Sequence, residues 1–405
     1  MPLLADGKDK PKPPTPIKTL LKEARNGIKN KRDQGRHEQA LNEALKREGL
    51  GDAEKAEIYN MLALLNISLN DGENLKAYLN QKYDTAQFFN TLLKASQYAL
   101  KSDSVDAVPD AKGKQRLSYR SKNRDILLKY RSNVYNGGRF FLRRNEYQKA
   151  LPYFQIFLAL REAEMMQDVD IIQLDGIYPQ ICLYAMLSAY NLQLPQTALL
   201  YIDESMSEVN GVSLALLQEY KVRCHAALKD TVNWVKDLKE GCSSYPKHDY
   251  FFTSLAEYYE NEHMYDEGLA LADTLLKKVP GGKLYYYAKS LFYLHKEKWN
   301  DCIEMCDSTL ARDSLNTNAI YNKGLSYMNL AMETEENMDQ DIRKARNKKE
   351  KEKIAAFYKL ARPPFEQLRQ LLPEDKERWG RPLYRIYLNL NLGKEFAEIE
   401  KLLGK

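Results

Sequence analysis

A spacing of 34 residues organises the second half of the chain. Phe252, Ala256 and Tyr259 are followed at that distance by Tyr286, Ser290 and Tyr293, and then by Ile320, Gly324 and Tyr327. A second series, Tyr265, Gly268 and Ala272, returns as Trp299, Cys302 and Cys306. Bulky positions come back bulky and compact positions come back compact. Self-similarity at such a period marks a repeat array, in which each copy buries its apolar face only against its neighbours. A chain of 405 residues, 44% of them hydrophobic, would otherwise divide into two or three globular domains.

Each copy reads as two helices. Small residues at its eighth and twentieth positions let the helices of a hairpin approach, and the large residues around them fill the gaps between hairpins. Pro280 ends one second helix, and Gly281-Gly282 supplies the turn that follows. Gly138, Phe141, Tyr147, Ala150, Phe154 and Phe157 form an earlier copy, and Tyr184 to Ser205, with Tyr190 and Ala198, a more divergent one. Residues 211–245 read as a further helix pair. Near the start, Ile17 to Arg47 and Asp52 to Lys82 read as two more hairpins, the first carrying GRHEQAL.

These residues resemble tetratricopeptide repeats. The match to the spacing W-x2-L-G-x2-Y, A-x3-F, P is carried by Phe252, Leu255, Ala256, Tyr259, Tyr265, Gly268, Ala272 and Pro280. More narrowly, YNGGRFFLRRNEYQKALPYF (135–154) and WGRPLYRIYLNLNLGKEFAEIEKLL (379–403) resemble exported repeat proteins of Gram-negative bacteria. The resemblance implies an all-α, right-handed α-solenoid, a superhelix of helix hairpins whose concave face binds a peptide, helix or protein. It implies no catalysis.

Domain organisation follows from this reading. Residues 1–16 form a disordered start or the remnant of an export signal. Residues 17–102 form N-terminal hairpins, 103–120 a connecting loop and 121–248 divergent repeats. Residues 249–373 form the strong repeats, with a helical-hairpin insertion near 333–357, and 374–405 form capping helices. The insertion is inferred because the small residue expected at 336 appears as Ala361, followed by Phe365 and Pro373. Its charges run acidic first (Glu333, Glu335, Glu336, Asp339, Asp341) and basic afterwards (Arg343, Lys344, Arg346, Lys348, Lys349, Lys351, Lys353), as two lengthened antiparallel helices would arrange them.

In repeats of this kind, first-helix positions two, five, nine, twelve and thirteen face the groove. Here they fall on Tyr250, Thr253, Glu257, Glu260 and Asn261, on Leu284, Tyr287, Leu291, Leu294 and His295, and on Asn318, Tyr321, Leu325, Met328 and Asn329. Tyr250, Thr253, Glu257, Asn261, Tyr287, Leu291, His295, Tyr321, Met328 and Asn329 form the candidate partner-binding set. Asn261, His295 and Asn329 make a file of hydrogen-bonding side chains for an extended backbone, flanked by tyrosines with a flat face and a polar tip. The alternative is that these rungs satisfy neighbouring helices or the chain's own C-terminal segment. Arg139 and Arg143 take inward positions of the earlier repeat, and Arg116, Arg120 and Arg124 recur every four residues. Such guanidinium groups hold a carboxylate-rich partner, or pair with nearby Asp and Glu.

Other chemistries find little in the chain. A formal charge of +5 supplies no strong field for nucleic acid. No stretch approaches the roughly 18 consecutive apolar residues that span a bilayer. His37, His225, His248, His263 and His295 are scattered, without HExxH or CxxC, so neither a metal nor another cofactor is signalled. There is no phosphate-binding glycine loop and no G-x-S-x-G. Cys302 and Cys306, four apart in WNDCIEMC, take the small positions held by Gly268 and Ala272 one repeat earlier and read as packing residues. Their helical directions disfavour a disulfide, and an odd total of five cysteines argues against a disulfide framework.

The expected function is a non-catalytic scaffold for a peptide or protein, possessing no transmembrane segment and in peripheral association with an envelope complex. MPLLADGK looks like the end of an export signal, which points to the periplasm or outer membrane, with the cytoplasm as the alternative. The competing class is a small-ligand or glycan-binding protein, or an enzyme, using a groove drawn from the 28 tyrosines.

Overall fold

The computed structural model describes residues 14–170, 176–338 and 345–404. Most of the expected export remnant, and Asp339, Asp341, Arg343 and Lys344 of the insertion, lie outside the described residues. Among those described there are eighteen α-helices and no strand. The chain divides into two compact units after Leu228.

The first unit comprises α1 (Ile17–Asn30), α2 (Gln34–Ala44), α3 (Asp52–Tyr78), α4 (Thr85–Asp106), α5 (Arg120–Leu142), α6 (Tyr147–Glu162), α7 (Tyr178–Asn191), α8 (Pro195–Ser205) and α9 (Val212–Ala227). The second comprises α10 (Thr231–Ser244), α11 (Asp249–Asn261), α12 (Tyr265–Lys278), α13 (Lys283–His295), α14 (Trp299–Leu310), α15 (Thr317–Glu336), α16 (Ala345–Leu371), α17 (Lys376–Asn389) and α18 (Gly393–Leu402). In each unit, consecutive helices pair as hairpins and each hairpin packs on the next. Each unit is an all-α solenoid of stacked helix hairpins.

Two local expectations are corrected. The hairpin expected over Asp52 to Lys82 is instead one 27-residue helix, α3, paired with α4. Asn70-Asp71-Gly72 has turn chemistry, yet its polar groups are claimed by neighbouring helices. The buried Asn70 amide donates to Phe88 O at 2.7 Å, and Asp71 accepts from Tyr130 Oη at 2.9 Å. Those contacts outweigh the roughly 1 kcal/mol cost of glycine in a helix. The loop expected at 103–120 is shorter, because α4 continues to Asp106. Its ends are tied by Asp106 accepting from Tyr119 N at 2.9 Å and by a two-pronged Arg120–Asp103 pair at 2.9 and 3.1 Å.

One packing device recurs in both units. A side-chain carbon added to Gly138 would lie 2.6 Å from the Phe154 ring, and one on Gly241 would lie 2.4 Å from Phe251. At Gly268 it would lie 2.5 Å from Phe292, and at Gly324 2.8 Å from Phe365. All four rings are fully buried. Each seats directly on the glycine backbone of the adjoining helix, where no other residue leaves room.

The cysteines vary this device. One repeat after Gly268 and Phe292 stand Cys302 and Ser326, in hydrogen-bond contact. Cys306 likewise meets Ser290. The larger member of the pair moves from one helix to the other while the combined bulk stays moderate. All five cysteines are free and buried, with the Cys302 and Cys306 sulfurs 4.0 Å apart. Burial pushes the Cys182 and Cys224 thiols up to about 11 and the Cys242 thiol to about 12. Contact with Cys302 and burial also raise Cys306.

At the end of the second unit, α15 and α16 run to 20 and 27 residues, a lengthened pair. Met328, Ala331, Ile354 and Tyr358 are buried between and around them. Met328, expected on the groove, is therefore a core residue, because the long α16 gives that part of α15 a partner. Beyond Pro373, α17 and α18 continue the stack as one further hairpin, burying Trp379, Leu383, Ile386 and Tyr387 against the Tyr358–Leu368 side of the core.

Two outcomes follow from this packing. Gly268→Ala should lower stability by about 1–3 kcal/mol through overpacking against Phe292, read as a fall in the urea midpoint of the second unit. Gly281→Ala, whose new carbon meets nothing within 4 Å, should stay within about 0.5 kcal/mol of the parent; equal losses at both sites would remove the seating argument. For the thiols, a disulfide-exchange reagent at pH 8 should modify none of the five in the folded chain and all five in denaturant, since each is buried and therefore hard to reach.

Candidate partner-binding groove

The first helices α11, α13, α15 and α17 touch one another in succession, besides pairing with their second helices. This sets them side by side on one face of the second unit. Between α11 and α13 lies a cavity of about 310 Å³. Phe252, Ala256, Ala288 and Phe292 make its apolar lining, with Thr253, Glu257 and Glu260 along one wall and Leu284, Tyr287 and Leu291 along the other. A second cavity, of about 450 Å³, lies at the N-terminal ends of α11 and α13 and is lined by Lys247, Asp249, Gly282 and Asn316 among others. Leu284 and Tyr287 line both cavities, so the two join into one groove.

Thr253, Glu257, Tyr287 and Leu291 of the expected set are thus brought together. Thr253 Oγ1 donates to Asp249 O at 2.8 Å within its own helix, leaving the exposed side chain to shape the wall. Tyr287 is half-buried, and desolvation raises its phenol above the ordinary value. Its hydroxyl contacts Asn318 on α15. Tyr250 packs edge-on to Phe251 at 5.7 Å and lies outside the cavity lining. Asn261 is exposed at the end of α11.

The remaining rungs are engaged within the fold. His295 Nε2 lies 3.0 Å from Glu260 Oε1, and its imidazole stacks on Tyr265 at 5.3 Å with an interplanar angle of 1°. Tyr265 Oη in turn meets His263 Nδ1 at 2.7 Å. Tyr321 is held edge-on to Phe365 at 6.0 Å and lies under the Arg378 guanidinium at 4.8 Å. Arg378 also donates to Asn318 Oδ1 at 2.9 Å. Asn329 is half-buried on α15 beside the core residue Met328. The expected file of Asn261, His295 and Asn329 is therefore not a uniform row of available donors.

The arginines belong to the first unit. Arg139 lies over the Tyr135 ring at 5.4 Å, and Arg143 is exposed where α5 ends. Arg120 pairs with Asp103 and, at 3.2 Å, with Glu164; Arg124 pairs with Asp168 at 3.8 Å. Arg120 and Arg124 of that row are thus paired with carboxylates of their own unit. Among the described residues no group of three or more His, Cys, Asp or Glu could hold a metal ion, and no helix is long and apolar enough to cross a membrane.

Sequence reasoning missed the apolar lining and Arg378. The period marks Phe252 and Ala256 as packing residues and does not mark Phe292, although all three line the groove. Arg378 is separated from Asn318 by 60 residues, and no local pattern announces that contact.

The sequence matches no protein-family model and no curated protein. Solved structures do resemble the chain. The C-terminal part of a TPR repeat-containing protein from Cytophaga hutchinsonii matches with a TM-score of 0.42 at 12% identity, covering 66% of this chain and 93% of that one. A TPR repeats protein from Bacteroides fragilis matches at 0.32 and 14%, covering 67% and 98%. YrrB, described as a TPR protein with an unusual peptide-binding site, matches at 0.33 and 15%, covering 50% and 97%. The repeat type itself rests on features internal to the chain: a 34-residue period, a helix hairpin in each period, and compact residues under aromatic rings at the positions the period selects. In these features the chain is an all-α array of helix hairpins that resembles tetratricopeptide repeats.

Proposed function

We propose that the chain is a non-catalytic scaffold that holds a peptide or protein segment in the groove between α11 and α13. The observation that carries this reading is the joined pair of cavities with Tyr287 at the junction, an apolar lining beneath and polar side chains along one wall. Such a trough suits an extended segment that alternates apolar anchors with solvated groups. A sugar-stacking reading is weaker, because Tyr321 already carries Arg378 over its ring. An envelope location is the finer part of the proposal, supported by the MPLLADGK opening and tested by fractionating the native host.

A photo-crosslinking residue at the exposed position of Thr253 should capture a stoichiometric protein from the native host. Tyr287→Ala and Leu291→Ala should each weaken that partner about 10-fold or more, the usual effect of truncating a buried anchor, with helical content unchanged. Arg139→Ala, in the other unit, should leave affinity within about twofold. Unaltered capture by both groove variants would place the binding surface elsewhere.

A further inference from the structure

The groove carries an uneven distribution of charge. Glu257 and Glu260 stand three residues apart on one face, in the last turns of α11, which ends at Asn261. A helix C-terminus already bears partial negative charge, so this is an unfavourable place for carboxylates and a favourable one for a cation. Among the described residues no lysine or arginine pairs with Glu257. Glu260 is met by the His295 imidazole at 3.0 Å.

Cations around the groove have partners of their own, Arg378 lying over Tyr321 and donating to Asn318. Lys289 pairs with Asp273 at 2.6 Å and Lys296 with Asp266 at 2.5 Å, both on α12. Lys283 pairs with Asp313 at 3.0 Å. Lys247, Lys283 and Asp249 line the far end of the groove. The cavity between α11 and α13 thus joins an apolar lining to a wall on which Glu260 is met by His295 and exposed Glu257 has no lysine or arginine partner among the described residues.

We infer that the partner segment is basic: it lays an apolar side chain on Phe252, Ala256 and Phe292 and sets a lysine or arginine against Glu257. This rests on the groove being the binding surface, as proposed above. The charge pair selects the partner and accelerates encounter, while the apolar anchor supplies most of the hold. An acidic segment meets repulsion at the same wall.

The test uses the full chain and three labelled synthetic peptides in which leucine alternates with lysine, glutamate or glutamine, followed by fluorescence anisotropy. The lysine peptide should bind about 10-fold or more tightly than the other two at low salt, and the margin should narrow as salt rises. Glu257→Gln should cost the lysine peptide about fivefold, and Glu257→Lys should favour the glutamate peptide instead. Leu291→Ala should weaken all binding. If Leu291→Ala weakens binding while charge has no influence, the basic-partner inference falls and the groove stands. If Leu291→Ala changes nothing, the groove reading itself falls. Failure of all three peptides to bind also overturns the inference.

Discussion

A phenyl ring resting on a bare glycine backbone sets how closely neighbouring helices approach in this protein. Four such seats, Gly138–Phe154, Gly241–Phe251, Gly268–Phe292 and Gly324–Phe365, span both units. With a side chain on the glycine, the ring would have to turn or the helices separate, and in a close-packed interior neither happens without disturbing the next contact. Because every hairpin buries its apolar face against the following one, an altered separation at one seat passes to the rest of its unit.

The groove inherits its shape from the same seats. Phe292 presses one side on Gly268 of α12 and turns another toward the cavity between α11 and α13. Packing and the proposed recognition surface therefore share a residue. Electrostatics adds a second division. Lysines of α13 and of the turn after it are held by aspartates of α12 or of the turn after α14, while Glu260 of α11 is met by His295.

Much of this was legible because helix periodicity and close packing are local demands repeated every 34 residues. The compact positions and the packing role of Cys302 and Cys306 follow from register, and the meeting of Thr253, Glu257, Tyr287 and Leu291 from register together with the groove-facing positions that the resemblance implies. What escaped depends on distant chain. Met328 is buried because α16 is long enough to cover it, and Tyr321 is covered by an arginine supplied from α17. Asn70-Asp71-Gly72 stays helical because Phe88, Thr91 and Tyr130 claim its polar groups. A period describes what each repeat shares and is silent about what one repeat lends to another.

The exchange of Gly268–Phe292 for Cys302–Ser326 makes the junctions individual. A ring at position 326 would strike the thiol of Cys302, and a serine at 292 would leave a void over Gly268. The hairpins are therefore not interchangeable bricks. A chain that mispaired by one whole repeat during folding would bring together surfaces of the wrong size, so each junction carries its own address and guards the array against slipping along its own equally spaced copies.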